Sequence, residues 1–180
     1  GGTVASGIRN DNGTGLFSIC DSIASMRSDA DIILLSGGVN DQAMINHDHE
    51  LLGELTADFT STIDKTTLYG GLEYMLRQAV YKWSNKTILY VIPHRMTKNL
   101  DYRTAIIAAC GKYGVPVVDI SATTPDFYYL TEFPERYTAN ADGWHPNEDG
   151  YQVFYVPQII SAINANFKGR GVTISLADVN

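Results

Sequence analysis

The chain has 180 residues, 44% hydrophobic and 18% charged, enough for one compact domain with a sizeable core. Its net charge is −7 and its pI about 4.9, without a Lys/Arg cluster, which argues against a nucleic-acid partner. No apolar run approaches the roughly 18 residues of a membrane helix, so no membrane partner is expected either.

In chain order, a helix is expected over Leu16 to Met26, then three short apolar runs rich in β-branched residues. These are Asp31 to Ser36, Thr87 to Ile92 and Val115 to Ile120; continuous apolar character fits strands buried on both faces of a parallel sheet. Between the first two, the stretch from Gln42 to Thr67 is long for a connection and has room for a short helix. An amphipathic stripe then runs through Leu68, Leu72, Met75, Leu76, Ala79, Val80 and Trp83. Ile106, Ile107 and Cys110 form another stripe that should stop at Gly111 or Gly114. The last stripe passes through Tyr151, Phe154, Ile159, Ile160 and Ile163, with Pro157 inside it to kink or restart the helix.

This alternation predicts an α/β fold, a three-layer α/β/α sandwich around a parallel, flavodoxin-like sheet. Residues 1–168 are read as one domain and 169–180 as a tail. Cys20 and Cys110 fall on helical segments and are expected as small buried side chains, not as a disulfide or metal pair. The residues do not fix the compartment. A soluble domain is expected, either secreted or part of a larger bacterial or phage protein.

In such sheets chemistry gathers at the carboxyl ends of the strands. Gly37-Gly38-Val39-Asn40-Asp41 leaves the first apolar run there, and a sharp turn at the glycines would let the Asn40 amide donate to a developing oxyanion. Read alone, it is equally an ordinary Asn-Asp turn. Asp142-Gly143-Trp144-His145-Pro146 opens the last helix. An Asp three residues before a His can reach its Nδ1–H, fix the tautomer and stabilise the imidazolium, leaving Nε2 as a general base. His94 follows the second run at the same edge and is a candidate substrate contact, as are Gly38 and Trp144; Tyr69 is a further candidate pocket residue. His47 and His49 read as a solvated polar loop sooner than a metal site.

Gly38-x-Asn40-Asp41 and Asp142-x-x-His145 together resemble the GxND and DxxH blocks of the SGNH (GDSL-type) hydrolases, in order, separation and position relative to the strands. Gly1-Gly2-Thr3-Val4-Ala5-Ser6-Gly7 is similar to that family's glycine block, and Val117-Val118-Asp119 to its last strand. The resemblance implies a serine-type esterase acting through an acyl-enzyme. His145 and Asp142 would be triad members, with Asn40 and the backbone N–H of Gly2 (Gly1 as the fallback) in the oxyanion hole. It implies no cofactor and no metal. Short acyl groups such as acetyl esters on carbohydrate are the expected substrates. The family's Gly-Asp-Ser nucleophile block has no counterpart before the glycine block, so the serine is expected upstream of residue 1, from the rest of the polypeptide or a second chain. By this reading residues 1–180 alone would be nearly inactive.

Cys20-Asp21-Ser22-Ile23 imitates the missing block, but only 18 residues separate Ser22 from Asn40, too few for a strand and a crossover helix. Ser6 and Ser36 are weaker candidates still. Two other classes stay open. A non-catalytic carbohydrate-binding or structural module would keep the scaffold without the serine. A flavodoxin-like nucleotide binder would leave Asn40, Asp142 and His145 without a job.

Overall fold

The structure, a computed structural model, describes residues 3–4, 17–94, 100–124 and 132–167. The central sheet is fully parallel, in the order β3 (Ile32–Ser36), β4 (Thr87–Ile92) and β5 (Val117–Asp119). Ile33 pairs with Ile88 and Leu35 with Tyr90, while Val91 pairs with Val118. Two shorter strands, β1 (Thr3–Val4) and β2 (Phe17–Ser18), pair in parallel as a separate two-stranded sheet. The α/β fold class expected from the sequence is the one observed.

β4 is buried along its whole length because both of its faces are covered. Side chains alternate across a strand, so Ile88, Tyr90 and Ile92 point to one layer and Leu89 and Val91 to the other. The first layer holds α3 (Leu68–Lys82) and α4 (Leu100–Tyr113), which pack on one another. The second holds α8 (Val156–Asn166), whose Ile163 packs with Leu89 and Val118, with Ile159 and Ala162 against the same cluster. Burying a side chain of this size contributes roughly 1.5–3 kcal/mol. β4 therefore acts as a strand because each of its faces meets a helix, while β3 buries the face that carries Ile33 and Leu35.

Local signals set the ends. Thr67 caps α3 by accepting the N–H of Gly70, and Gly114, at φ 64°, closes α4 while Val115 N–H reaches back to the Cys110 carbonyl. Cys20 and Cys110 are both fully buried free thiols. The helix expected over Leu16 to Met26 is corrected. Phe17–Ser18 is strand, and only α1 (Ile19–Ser22) and a 3-10 turn (Ile23–Ser25) follow. Ser22 Oγ donates to the Ser18 carbonyl and Ser25 Oγ to that of Ser22, local bonds that compete with a continuous helix. The third run is shorter than expected. Pro116 has no N–H for the ladder, and the Asp119 carboxylate accepts the N–H of Ala122 to start α5 (Ile120–Thr123). The long connection does carry a helix, α2 (Val39–His47), with a 3-10 turn (His49–Leu52) behind it.

The exit of β3 positions the site. Gly38 is the N-cap of α2 and sits at φ 99°, a left-handed conformation that L side chains rarely adopt. The hydroxyls of Tyr90 and Tyr102 both donate to the Gly37 carbonyl, and both rings are fully buried. A Cβ at Gly38 would enter the Tyr102 ring, which has nowhere to go. α2 thus begins directly at the strand end, with Asn40 in its first turn. Among the described residues no helix is long and apolar enough to cross a membrane.

Gly38→Ala combines a left-handed backbone penalty with overpacking, and should cost about 2–4 kcal/mol. Urea unfolding of the variant measures this; a loss below about 0.5 kcal/mol would contradict the account of the turn.

Candidate active site

Three chain segments meet at the carboxyl ends of the strands around a cleft of about 450 Å³. β3 and α2 contribute Leu34, Ser36, Val39 and Asn40; the end of β4 contributes Val91, Pro93 and His94. The turn before α7 (Glu148–Gly150) supplies Trp144, His145 and Pro146, and Tyr151, Tyr155 and Ile159 close the far wall. Parallel strands make this convergence inevitable, since every strand delivers its following segment to the same edge.

The Asp142–His145 turn is held from several directions. Thr138 bridges to Pro146, Ala139 N–H donates to the His145 carbonyl at 2.7 Å, and Thr138 Oγ1 accepts the N–H of Gly143 at 3.0 Å. Asn140, Ala141 and Gly143 all have φ between 53° and 71°. For Ala141 that conformation costs roughly 1–2 kcal/mol, which these bonds offset. Asn147 then caps α7 through the N–H of Gly150 and ties back to the Arg136 carbonyl.

Within the turn, Asp142 Oδ1 accepts the backbone N–H groups of Trp144 (2.7 Å) and His145 (2.9 Å). Its Oδ2 lies 2.7 Å from His145 Nδ1. The carboxylate therefore fixes both the backbone and the ring, and Nε2 is turned away from it. The His145 side chain is 81% exposed, open to anything in the cleft. The hydrogen bond from His145, then the two backbone N–H groups, hold the Asp142 carboxyl down at about 2, from an ordinary 3.8. Because the folded value is the lower one, the bonds to this carboxylate stabilise the fold fully above the ordinary range. They are lost as the pH falls through about 2.

The structure brings Asn40, His94, Trp144 and His145 to one cleft, with Asp142 directly behind His145 and Gly38 at the turn that presents Asn40. Gly1 and Gly2 lie outside the described residues. Tyr69 packs against the core cluster and does not line the cleft. Trp144 is about half exposed, whereas His94 is 1% exposed and its ring meets Tyr155. Ser22 ends α1 with its hydroxyl bonded to Ser18, outside the cleft; Ser36 lines it. His49 pairs with Asp101 at 3.5 Å, and among the described residues no group of three or more potential ligands is placed to hold a metal ion. Tyr151, read from the sequence only as part of the last helical stripe, and Tyr155 were not expected at the cleft, although their spacing of four residues directly after the Asp142–His145 turn was a usable signal.

A parallel sheet between helical layers thus carries an Asp–His pair and an exposed Asn at its carboxyl edge. The family model of the GDSL-like lipase/acylhydrolases matches residues 5–153, and the chain belongs to that family, membership that points to esterase or lipase activity. Among solved structures, one from Lactobacillus plantarum is 24% identical with a TM-score of 0.70, over 92% of this chain and 78% of that one. A candidate GDSL-like lipase from Bacteroides ovatus is 16% identical with a TM-score of 0.55, over 66% of this chain and 55% of its own. At these identities the likeness is one of fold. No curated protein sequence matches the chain.

Titrating the Asp142 carboxyl by carbon NMR should give a midpoint near 2, moving up toward the ordinary 3.8 in His145→Ala. A wild-type midpoint already at the ordinary value would show that the pair does not form in solution.

Proposed function

We propose that the cleft hydrolyses short acyl esters, acetyl groups on carbohydrate being the best fit, through an acyl-enzyme. The observation that carries this reading is the convergence of Asn40 and the Asp142-backed His145 on one cleft. In this scheme a serine Oγ attacks the ester carbonyl and its proton passes to His145 Nε2. Negative charge on the carbonyl oxygen is met by the Asn40 amide and by the backbone N–H of Gly2. His145 then protonates the departing alcohol, and a water activated by the same nitrogen releases the acid. Asp142 orients the ring and stabilises the imidazolium without taking the proton.

The serine is assigned to a strand that pairs with the open edge of β3. Among the described residues only β4 pairs with β3, and Leu34, midway along it, is 46% exposed. A parallel strand laid there would end beside Ser36 and Asn40, at the cleft. A carbohydrate substrate is supported by the two rings at the mouth, Trp144 (47% exposed) and Tyr151 (49% exposed), which can stack on sugar faces. The same rings would serve a module that binds glycan without cleaving it, so the test must separate the two.

A serine-directed fluorophosphonate applied to the full-length protein should label it, and His145→Ala should abolish labelling. A folded protein that binds glycan and takes no label would overturn the esterase reading. In the active protein, Asn40→Ala should lower kcat by roughly 10²–10³; an unchanged rate would remove Asn40 from the oxyanion hole.

A further inference from the structure

Among the described residues His94 is buried almost as completely as Asp41 and Glu73, yet it stands at the cleft. Its Nδ1 lies 2.7 Å from the Tyr155 hydroxyl, and its backbone N–H donates to the same oxygen at 3.2 Å. The two rings meet edge to face with centroids 6.1 Å apart. Tyr155 thus takes both of its hydrogen-bond partners from one residue. Its oxygen receives the backbone N–H; with the phenol hydrogen assigned to Nδ1, the ring of His94 carries its own proton on Nε2. Burial pushes the Tyr155 phenol up to about 12, so it remains a donor at every physiological pH.

Tyr155 ends the π-helical turn Tyr151–Tyr155, which joins α7 to α8. A π turn holds one residue more than an α turn and is unfavourable unless the surroundings enforce it. Relaxation to an α turn would rotate the flanking chain by about 100° per residue gained. Tyr151 rests on Tyr155, with ring centroids 5.0 Å apart. The N–H of Tyr151 bonds the Asn147 carbonyl, two residues after His145. Whatever fixes Tyr155 therefore fixes the approach to the catalytic turn and the ring of Tyr151.

We infer that His94 is a positioning residue. Through Tyr155 it pins the π turn to the end of β4, and so sets where His145, Trp144 and Tyr151 stand over the cleft. Its kinetic consequence rests on the hydrolase reading above; its structural consequence does not. Action through Tyr155 is a second role for this residue, beside the direct substrate contact expected from the sequence.

The test uses the full-length protein with p-nitrophenyl acetate as the probe ester. His94→Leu and Tyr155→Phe should each lower kcat by about 10-fold or more while KM changes less than about 2-fold, the signature of misplaced groups. His94→Asn keeps an acceptor where Nδ1 stood and should recover kcat to within about 3-fold of wild type. Equal losses in His94→Leu and His94→Asn, or none in any variant, would overturn the inference. If His94→Leu does not fold, Tyr155→Phe, which removes one oxygen, carries the kinetic test. Long-range proton–nitrogen NMR supplies an arm without activity. His94 should appear as the Nε2–H form, and the Trp144 and His145 amide signals should move in Tyr155→Phe. The opposite tautomer, or unmoved amides, would overturn the inference even if the protein hydrolyses nothing; failure of hydrolysis in wild type with the expected spectra would sink only the esterase reading.

Discussion

The carbonyl of Gly37 accepts two buried phenol hydroxyls, from Tyr90 in the middle of the sheet and Tyr102 in α4, and this joint holds the rest of the cleft in place. With that carbonyl held, the chain leaves β3 through the left-handed turn at Gly38. α2 must then start at once, its first bond running from Gln42 N–H to the Gly38 carbonyl. Asn40 is delivered to the cleft by this helix start, and its neighbour Asp41 is carried inward to full burial. Adjacent residues on one helical turn thus serve opposite purposes, one facing the cleft and the other the core.

The second half of the site is built with less core and more local bonding. The turn from Thr138 to Asn147 has few apolar side chains to anchor it, and the Asp142 carboxylate substitutes for them by collecting three donors. A charge-assisted bond of this kind is stronger than a neutral one, and a carboxylate with several donors stays ionised through the working pH range. The same group that shapes the turn is therefore the one that orients the imidazole. Structure and proposed chemistry share a single side chain, which explains the spacing of three residues: longer, and one carboxylate could not reach both the turn N–H groups and the ring.

Much of this was legible in the sequence because it depends on short-range pattern. The three apolar runs, the stripe of α3 and the Asp142–His145 spacing are local signals, and each reappears at the expected place. What was not legible depends on partners distant in the chain. The Tyr155–His94 contact is one case, since nothing near either residue in sequence announces a partner some sixty residues away. The helix expected over Leu16 to Met26 failed for the opposite reason: its serines satisfy backbone carbonyls locally and break the run. Pro157 was read as a kink or restart, and the restart is what occurs, α8 beginning at Val156 after the π turn. Gly2 and the tail from 169 fall outside the described residues.

The claim on which all of this turns is that the Asn40 amide and the Nε2 face of His145 address the same small volume. A crystal structure of the full-length protein carrying a covalent phosphonate would test it most directly. The account predicts a phosphonyl oxygen within hydrogen-bond distance of Asn40 Nδ2, with His145 Nε2 facing the modified serine. A phosphonate attached beyond the reach of either side chain, or the two side chains turned to separate surfaces, would contradict it.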